Sequence, residues 1–365
     1  MRIAYCIHSL NLTGGMERVL SVKASRLAED YGHEVFIVSA SMKGRKPAFP
    51  LSPKVKLVDV GVSDRFGPGV FLSYGRALLK VLKQISPDIT VSLCGNDVYF
   101  VPSSRDGSVK LAEFHFSHDK FFLKYGDTPY ARLRTRMLEN ALRKFRSLVV
   151  LTEADAKAWR EVLPSVDQIY NPLTFPLGER SPLTAKRFMA AGRLERQKDY
   201  PSMVRAWEKV AARHPDWRLD IFGEGHQKDA VRRLISSRGL EGKVRLMERS
   251  SDIRSEMLDS SGLLLSSRFE GFPMVLLEGA AMGLPLVSFD CHHGPSEIVR
   301  TGETGILVPP GDTDALADAV IRIIEDEELR RRLGAGAYAR AEAFLPERVM
   351  DQWNSLFVHY SSSKA

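Results

Sequence analysis

Twice in this chain a short apolar run gives way to a glycine-bearing loop, an amphipathic stretch and a second apolar run. The first instance is RIAYCIHSL, then GMERVLSVKASRLAEDYG, then HEVFIVSA. The outer runs are rich in Ile, Val, Tyr and Phe and of strand length. The middle one carries Val19, Leu20, Val22, Leu27 and Ala28 at helical spacing, with Gly32 as its stop. Strand–helix–strand units of this kind form parallel sheet. DITVSLCG and SLVVLT continue the pattern. DQIYNPLTFPLGERSPLT, rich in proline and polar residues, reads as a linker. The alternation then restarts with RFMAAGRL, WRLDIFG, KVRLMER, GLLLSS and LPLVSFD. The tail after residue 313 reads as helix with breaks at Gly334, Gly336 and Pro346. At 365 residues the chain is long for one core and about right for two. The expectation is two doubly wound α/β domains, residues 1–170 and 171–345. Residues 346–365 should form a helix that packs back on the first.

The three cysteines, Cys6, Cys94 and Cys291, are scattered and form no CxxC pair, which argues against a disulfide framework or a zinc site. A reducing cytoplasm suits them. The N-terminus lacks the pattern of a signal peptide, since His8 interrupts its short apolar run. No stretch approaches the ~18 apolar residues of a membrane span. Charge is uneven: residues 1–170 carry 25 Lys/Arg against 17 Asp/Glu, residues 171–365 carry 27 against 28. The densest basic run is ARLRTRMLENALRKFR, with Leu133, Met137, Leu138, Ala141, Leu142 and Phe145 at helical spacing. It reads as an amphipathic helix, either packed on its own domain with a solvated basic face or turned to anionic lipid head groups. Nothing in the pattern points to nucleic acid as a partner.

Ligands of doubly wound sheets sit beyond the carboxyl ends of the strands, so the chemistry should lie in post-strand loops. Gly14 and Gly15 end the first such loop where a helix begins, which permits close approach of an anion to free N–H groups. AGRLERQKDY places Arg193 and Lys198 in one loop, a fork and a point charge able to clamp a diphosphate. FGEG, with Gly223, allows close backbone approach. Taken singly, each pattern also fits an ordinary turn or surface. SRFEGFPMVLLEGAAMG is more demanding. Pro273 suits the start of a helix, which leaves Glu270 in the preceding loop. Glu278 falls inside the helix among Leu276, Leu277, Gly279 and Ala280, where a carboxylate needs donors. Two vicinal ribose hydroxyls would serve. His292 and His293 are adjacent and lack a ligand pattern around them, so no metal site is expected there. In KLAEFHFSHDK, His115 alternates with Phe114 and Phe116 and His118 follows; either could be a core histidine or a site residue.

In their order along the chain, the GG loop, AGRLERQKDY, FGEG, SRFEGFPMVLLEGAAMGLPLVSFDCHHGPSEIV and GILVPPGD resemble the retaining glycosyltransferases of family 4, which have the GT-B fold. The resemblance covers most of the chain, and the wording is similar to enzymes of bacterial capsule, exopolysaccharide and lipopolysaccharide synthesis. It implies two Rossmann-like domains facing a cleft, the first binding acceptor and the second binding donor. It implies that Glu278 binds ribose hydroxyls and that Glu270 lies against the donor sugar. Arg193 and Lys198 would neutralise the diphosphate, with Gly14, Gly15 and Gly223 at close approaches. Gly271, Phe272, Pro273, Met274 and Val275 would line sugar and phosphate, and Ile253 would sit by the base. His115 matches a histidine that faces the sugar. Relatives have Glu directly before that histidine, whereas here Phe114 separates Glu113 from His115, which leaves His118 as an alternative.

The reaction implied is transfer of a hexose or N-acetylhexosamine from a nucleotide sugar, with UDP as the expected nucleotide, to a glycan or polyprenyl-diphosphate-linked acceptor. Retention of configuration and independence of metal and cofactor are expected, since no DxD motif stands in a suitable loop. The enzyme would be cytoplasmic, or peripheral at the inner leaflet. The enzymatic rivals are a UDP-sugar 2-epimerase of the same fold, whose extra acid–base carboxylates have no visible place, and an NAD-dependent oxidoreductase, disfavoured by the missing GxGxxG. The non-enzymatic rival is a nucleotide-sugar-binding scaffold.

Overall fold

The computed structural model describes residues 1–62 and 67–362, which divide into two compact units. The first comprises Met1–Thr174 and Pro346–Ala365, the second Phe175–Leu345. The division thus falls at Thr174 rather than residue 170, because Asn171 and Leu173 are buried at the end of the first unit.

The first unit opens with β1 (Arg2–Ile7), α1 (Gly15–Glu29), β2 (Glu34–Ser39) and β3 (Lys56–Asp59). It continues with α2 (Pro68–Ile85), β4 (Ile89–Ser92), β5 (Val109–Phe114), α3 (Lys120–Tyr125) and α4 (Pro129–Leu142). It ends with β6 (Ser147–Val150), α5 (Glu153–Arg160) and β7 (Val166–Gln168). All seven strands are parallel, in the order β3-β2-β1-β4-β5-β6-β7. The order reverses between β1 and β4, so the switch point lies there. Both faces are covered, and β4 and β6 are accordingly buried at every residue.

The second unit repeats the plan: β8 (Arg187–Ala191), α6 (Tyr200–Arg213), β9 (Arg218–Phe222), α7 (Lys228–Ser237), β10 (Val244–Met247) and α8 (Ile253–Leu258). Then follow β11 (Leu263–Leu265), α9 (Met274–Ala281), β12 (Leu286–Phe289), α10 (Pro295–Ile298) and β13 (Gly305–Val308). Two helices, α11 (Thr313–Glu325) and α12 (Glu327–Ala341), close it. Its parallel sheet runs β10-β9-β8-β11-β12-β13, with the reversal between β8 and β11. Side-chain caps start the last two helices: Asp312 accepts from the N–H of Ala315 and Asp326 from that of Leu329.

The final helix, α13 (Pro346–Ser362), belongs to the first unit. Its Val349, Met350, Trp353, Phe357 and Tyr360 join the core formed by Tyr5, Leu20, Ala24 and Ile37 on one face of the first sheet. Each such large apolar side chain contributes roughly 1.5–3 kcal/mol by burial, enough to make this helix integral.

Three expectations need correction. Gly334 and Gly336 do not break the tail helix; α12 runs through both. A Cβ at Gly334 would lie 2.4 Å from the Gly283 carbonyl oxygen, and one at Gly336 2.0 Å from that of Glu303. The glycines let the helix lie against backbone. On α4, Leu133 and Met137 do not join the buried face; they are 57% and 43% exposed, and Ala131, Thr135, Leu138, Ala141 and Leu142 pack inward instead. The segment that reads as linker contributes its first residues to β7. The strands β3 and β13 carry no clear signal in the sequence.

Candidate functional site

The site of the second unit grows from its switch point. The loop after β8 and the loop after β11 are stapled to each other by backbone and amide groups. The N–H of Arg268 donates to the Gln197 carbonyl (2.8 Å), and the Gln197 side-chain amide returns a bond to the Phe269 carbonyl (2.9 Å). The Ser266 hydroxyl reaches the carbonyls of Lys198 (2.8 Å) and Asp199 (3.1 Å). Asp199 holds left-handed backbone (φ 47°) just before α6, and its carboxylate accepts from Ser202 and from Arg268 Nε. Such strain persists only where surrounding bonds impose it.

The neighbouring loops are drawn in as closely. A Cβ on Gly223 would stand 1.9 Å from the Gly192 carbonyl oxygen, so only glycine permits the loop after β9 to cross there. Gly294 (φ 93°) abuts Gly271 O and Pro273 in the same way, and Phe269 bridges His292. Gly271, Phe272, Pro273, Met274 and Val275 therefore sit on a fixed frame built from the loops after β8, β9, β11 and β12.

On this frame Lys198 Nζ meets Glu270 Oε1 at 2.6 Å, and the Ser267 hydroxyl donates to the same oxygen at 2.5 Å. The pair is nearly but not wholly enclosed, its side chains 15% and 8% exposed. Glu270 sets the local field: burial first, and then its charge, push the Tyr200 hydroxyl up and the Cys291 thiol up to about 12. Both stay protonated near neutrality. Arg193 is exposed and forms no ion pair among the described residues. The helix α9 begins at Met274 with no side-chain cap. Among the described residues the N–H groups of Met274 and Val275 find no backbone carbonyl acceptor, as at the start of any helix. Glu278 is buried one turn further on, among Leu276, Leu277 and Ala280. Ile253 begins α8, beyond the carboxyl end of β10, and stands apart from the stapled cluster in the hydrogen-bond pattern. Sequence reasoning missed Ser267, Gln197 and Tyr200. Ser267 had a usable signal, three residues before Glu270 in a strand-to-loop junction.

Gly14, Gly15 and His115 stand in the first unit. Gly14 caps α1 without a side-chain bond, and a Cβ there would lie 2.4 Å from Glu17 Oε2. His115 follows β5, and its Nε2 lies 3.0 Å from Glu113 Oε1. That same oxygen accepts from Lys23 Nζ at 2.6 Å. Burial raises the Glu113 carboxyl, but the charges and hydrogen bonds of Lys23 and His115 outweigh it and hold the group down to about 2. His118 is engaged elsewhere: Nδ1 on Asp119 at 2.8 Å, the ring edge-on to Trp159. Lys23 was also missed. Its signal was a lysine in the apolar stripe of α1, between Leu20 and Leu27.

Two units, each built on a doubly wound parallel sheet, make up the GT-B architecture. Residues 13–173 match the model for Glycosyltransferase Family 4, and residues 178–340 the model for Glycosyl transferases group 1. The chain is 38% identical to an exopolysaccharide phosphotransferase of Streptomyces coelicolor over 60% of its own length, but spans only 24% of that relative. It is 25% identical to the amylovoran biosynthesis glycosyltransferase AmsD of Erwinia amylovora, over 97% of this chain and 99% of that one. The structure of S. aureus TarM crystallised with UDP has the same fold, with a TM-score of 0.83 and 15% identity over 98% and 99% of the two chains. The chain belongs to glycosyltransferase family 4.

Proposed function

We propose that this enzyme moves a hexose or N-acetylhexosamine from a nucleotide-diphosphate sugar, with UDP the favoured nucleotide, to a hydroxyl of a glycan or lipid-linked glycan in bacterial surface polysaccharide synthesis. The observation that carries this is the Lys198–Glu270 pair, held by the stapled loops just before α9, with Arg193 exposed in the loop that bears Lys198. Those cations, with the N–H groups at the start of α9, form an anion site suited to a diphosphate. Glu278 takes the ribose hydroxyls and Glu270 the sugar. The bond from anomeric carbon to phosphate oxygen breaks with its electron pair leaving on the diphosphate. The acceptor hydroxyl oxygen takes its place with retention, and its proton passes to the departing phosphate oxygen. Charge develops on the departing phosphate, and preorganised donors there act without reorganising. No metal takes part in this scheme. A relative named for amylovoran synthesis and a neighbour crystallised with UDP support the acceptor class and the nucleotide.

The lipid-linked acceptor draws support from α4. Tyr130, Leu133 and Met137 form an exposed apolar stripe (52%, 57% and 43%) beside Arg134, Arg136, Arg143 and Lys144. An apolar stripe edged with cations suits an anionic membrane surface. No described helix is long and apolar enough to cross a membrane. Flotation with anionic but not neutral vesicles, lost on reversing Arg134 and Arg136 to Glu, is expected; equal flotation with both would remove the membrane from the scheme.

The primary test is nucleotide release and transfer with a panel of UDP-, GDP- and ADP-sugars, with and without EDTA, against Glu278→Ala. One donor should be consumed in the presence of EDTA, and the variant should lose it. Stabilisation by UDP without any turnover would leave a scaffold, and no response to any nucleotide would sink the donor site.

A further inference from the structure

The three groups Lys23, Glu113 and His115 make one line through the first unit. Lys23 lies on α1 and Glu113 on β5, and each side chain is only 1% exposed. Lysine is almost never buried without reason. Here its Nζ gives one bond to Glu113 Oε1 and rests 3.5 Å from the centroid of the Trp353 ring, with the Tyr5 ring 5.6 Å away. The ammonium is thus closed off by a carboxylate and aromatic faces, and Trp353 is brought there by α13.

His115 Nε2 lies 3.0 Å from the oxygen that Lys23 occupies, an ion-pair distance. An ionised carboxylate only accepts hydrogen bonds. A bare nitrogen lone pair facing that oxygen at 3.0 Å would be repelled, so the proton belongs on Nε2, and a neutral ring then presents Nδ1 as a bare acceptor. Among the described residues the ion pair of His115 runs through Nε2 and not through Nδ1. A carboxylate buried as Glu113 is needs a counter-charge. Lys23 already supplies the counter-charge.

We propose that Lys23 and Glu113 are positioning residues for His115: they hold the imidazole as its Nε2–H tautomer and leave Nδ1 as the nitrogen that meets the sugar or the acceptor hydroxyl. The device depends on α13, whose Trp353 covers the lysine. The functional half of this statement rests on the proposed role of His115, while the tautomer stands on its own.

The test is a ring-nitrogen correlation spectrum of the full chain labelled with 15N-histidine, the His115 signals being those absent from His115→Gln. The expected pattern is a protonated Nε2 and an unprotonated Nδ1 at neutral pH. A protonated Nδ1 in the unaltered protein overturns the proposal without recourse to any variant. In the double variant Lys23→Met/Glu113→Leu, which leaves no orphan charge, the ring should lose that pattern. The kcat of transfer should then fall roughly ten- to a hundredfold, with the KM for the nucleotide sugar unchanged. An unaltered tautomer in a folded double variant overturns the proposal as well. If His115→Gln itself leaves transfer intact while the tautomer is as stated, the positioning pair stands and the catalytic reading of His115 falls.

Discussion

Each unit holds a lysine–glutamate pair near the carboxyl end of its sheet, and both close to 2.6 Å. Distance makes them twins; burial separates them. Lys23 and Glu113 are each 1% exposed, whereas Lys198 and Glu270 are 15% and 8% exposed. Lys23 is sealed by Trp353, while Lys198 lies beside a half-buried loop and the uncapped start of α9. An ion pair that solvent and ligand can reach is able to exchange partners. A sealed pair cannot, and can act only through what it touches. The first pair is therefore suited to holding a neighbour in place, and the second to exchanging partners with a ligand.

The largest expected effect breaks the sealed pair. Lys23→Met leaves Glu113 as a buried carboxylate without its cation, and loss of one partner of such a pair costs about 3–5 kcal/mol. Replacing Glu113 by Leu in the same chain should recover most of that loss, since a buried ion pair is worth little over an apolar filling of like volume. Urea unfolding of the two single variants and the double measures it. Additive losses in the double would mean the two side chains do not form the unit described.

Next comes the open pair. Lys198→Met should lower kcat of transfer by about 10²–10³-fold, the usual cost of one charge-stabilising donor. Its effect on unfolding should be roughly 1 kcal/mol, because Glu270 keeps Ser267 and some access to water. Should Lys198→Met destabilise the fold as much as Lys23→Met while sparing turnover, the comparison would be reversed.

The contrast also explains what could be read from the sequence. Alternating apolar and amphipathic runs announced both sheets, because parallel strands covered on two faces need such runs. The edge strands β3 and β7 escaped notice; they are short and carry few buried residues, so they lack the apolar signal. Lys198 and Glu270 could be singled out for the same reason that their pair is the more exposed one. They stand with glycines in post-strand loops, where each pattern singly also fits an ordinary turn or surface and only their combination stands out. The sealed pair could not be singled out. Lys23 and Glu113 are 90 residues apart, and only folding shows that one lies under the other. Gly334 and Gly336 misled because a glycine in a helix reads as a break until the backbone it must pass is seen.

The smallest effect concerns a carboxylate with no cation at all. Asp97 follows β4, wholly buried, with one oxygen bonded by the Ser92 hydroxyl and the other without a partner among the described residues. Burial pushes its carboxyl up to about 6, against a lesser pull from Ser92 and backbone N–H groups. Its folded value lies above the unfolded one, so its contribution to stability is full below about 3.8 and is lost as pH rises through about 6. Glu113 runs the other way: its contribution is present above about 4.5 and is lost as pH falls through about 2. Asp155, also raised to about 6 by burial, shares the sign of Asp97. The difference between the protein and Asp97→Asn isolates one of the two. The variant cannot ionise, so at pH 7.5 it should be more stable by about 1–3 kcal/mol, each tenfold change in proton affinity on folding being worth about 1.4 kcal/mol. Near pH 4 the two should coincide. Equal stability across that range would mean that Asp97 ionises freely where it sits, and a cation would then no longer be what separates Glu113 from the other buried carboxylates of its unit.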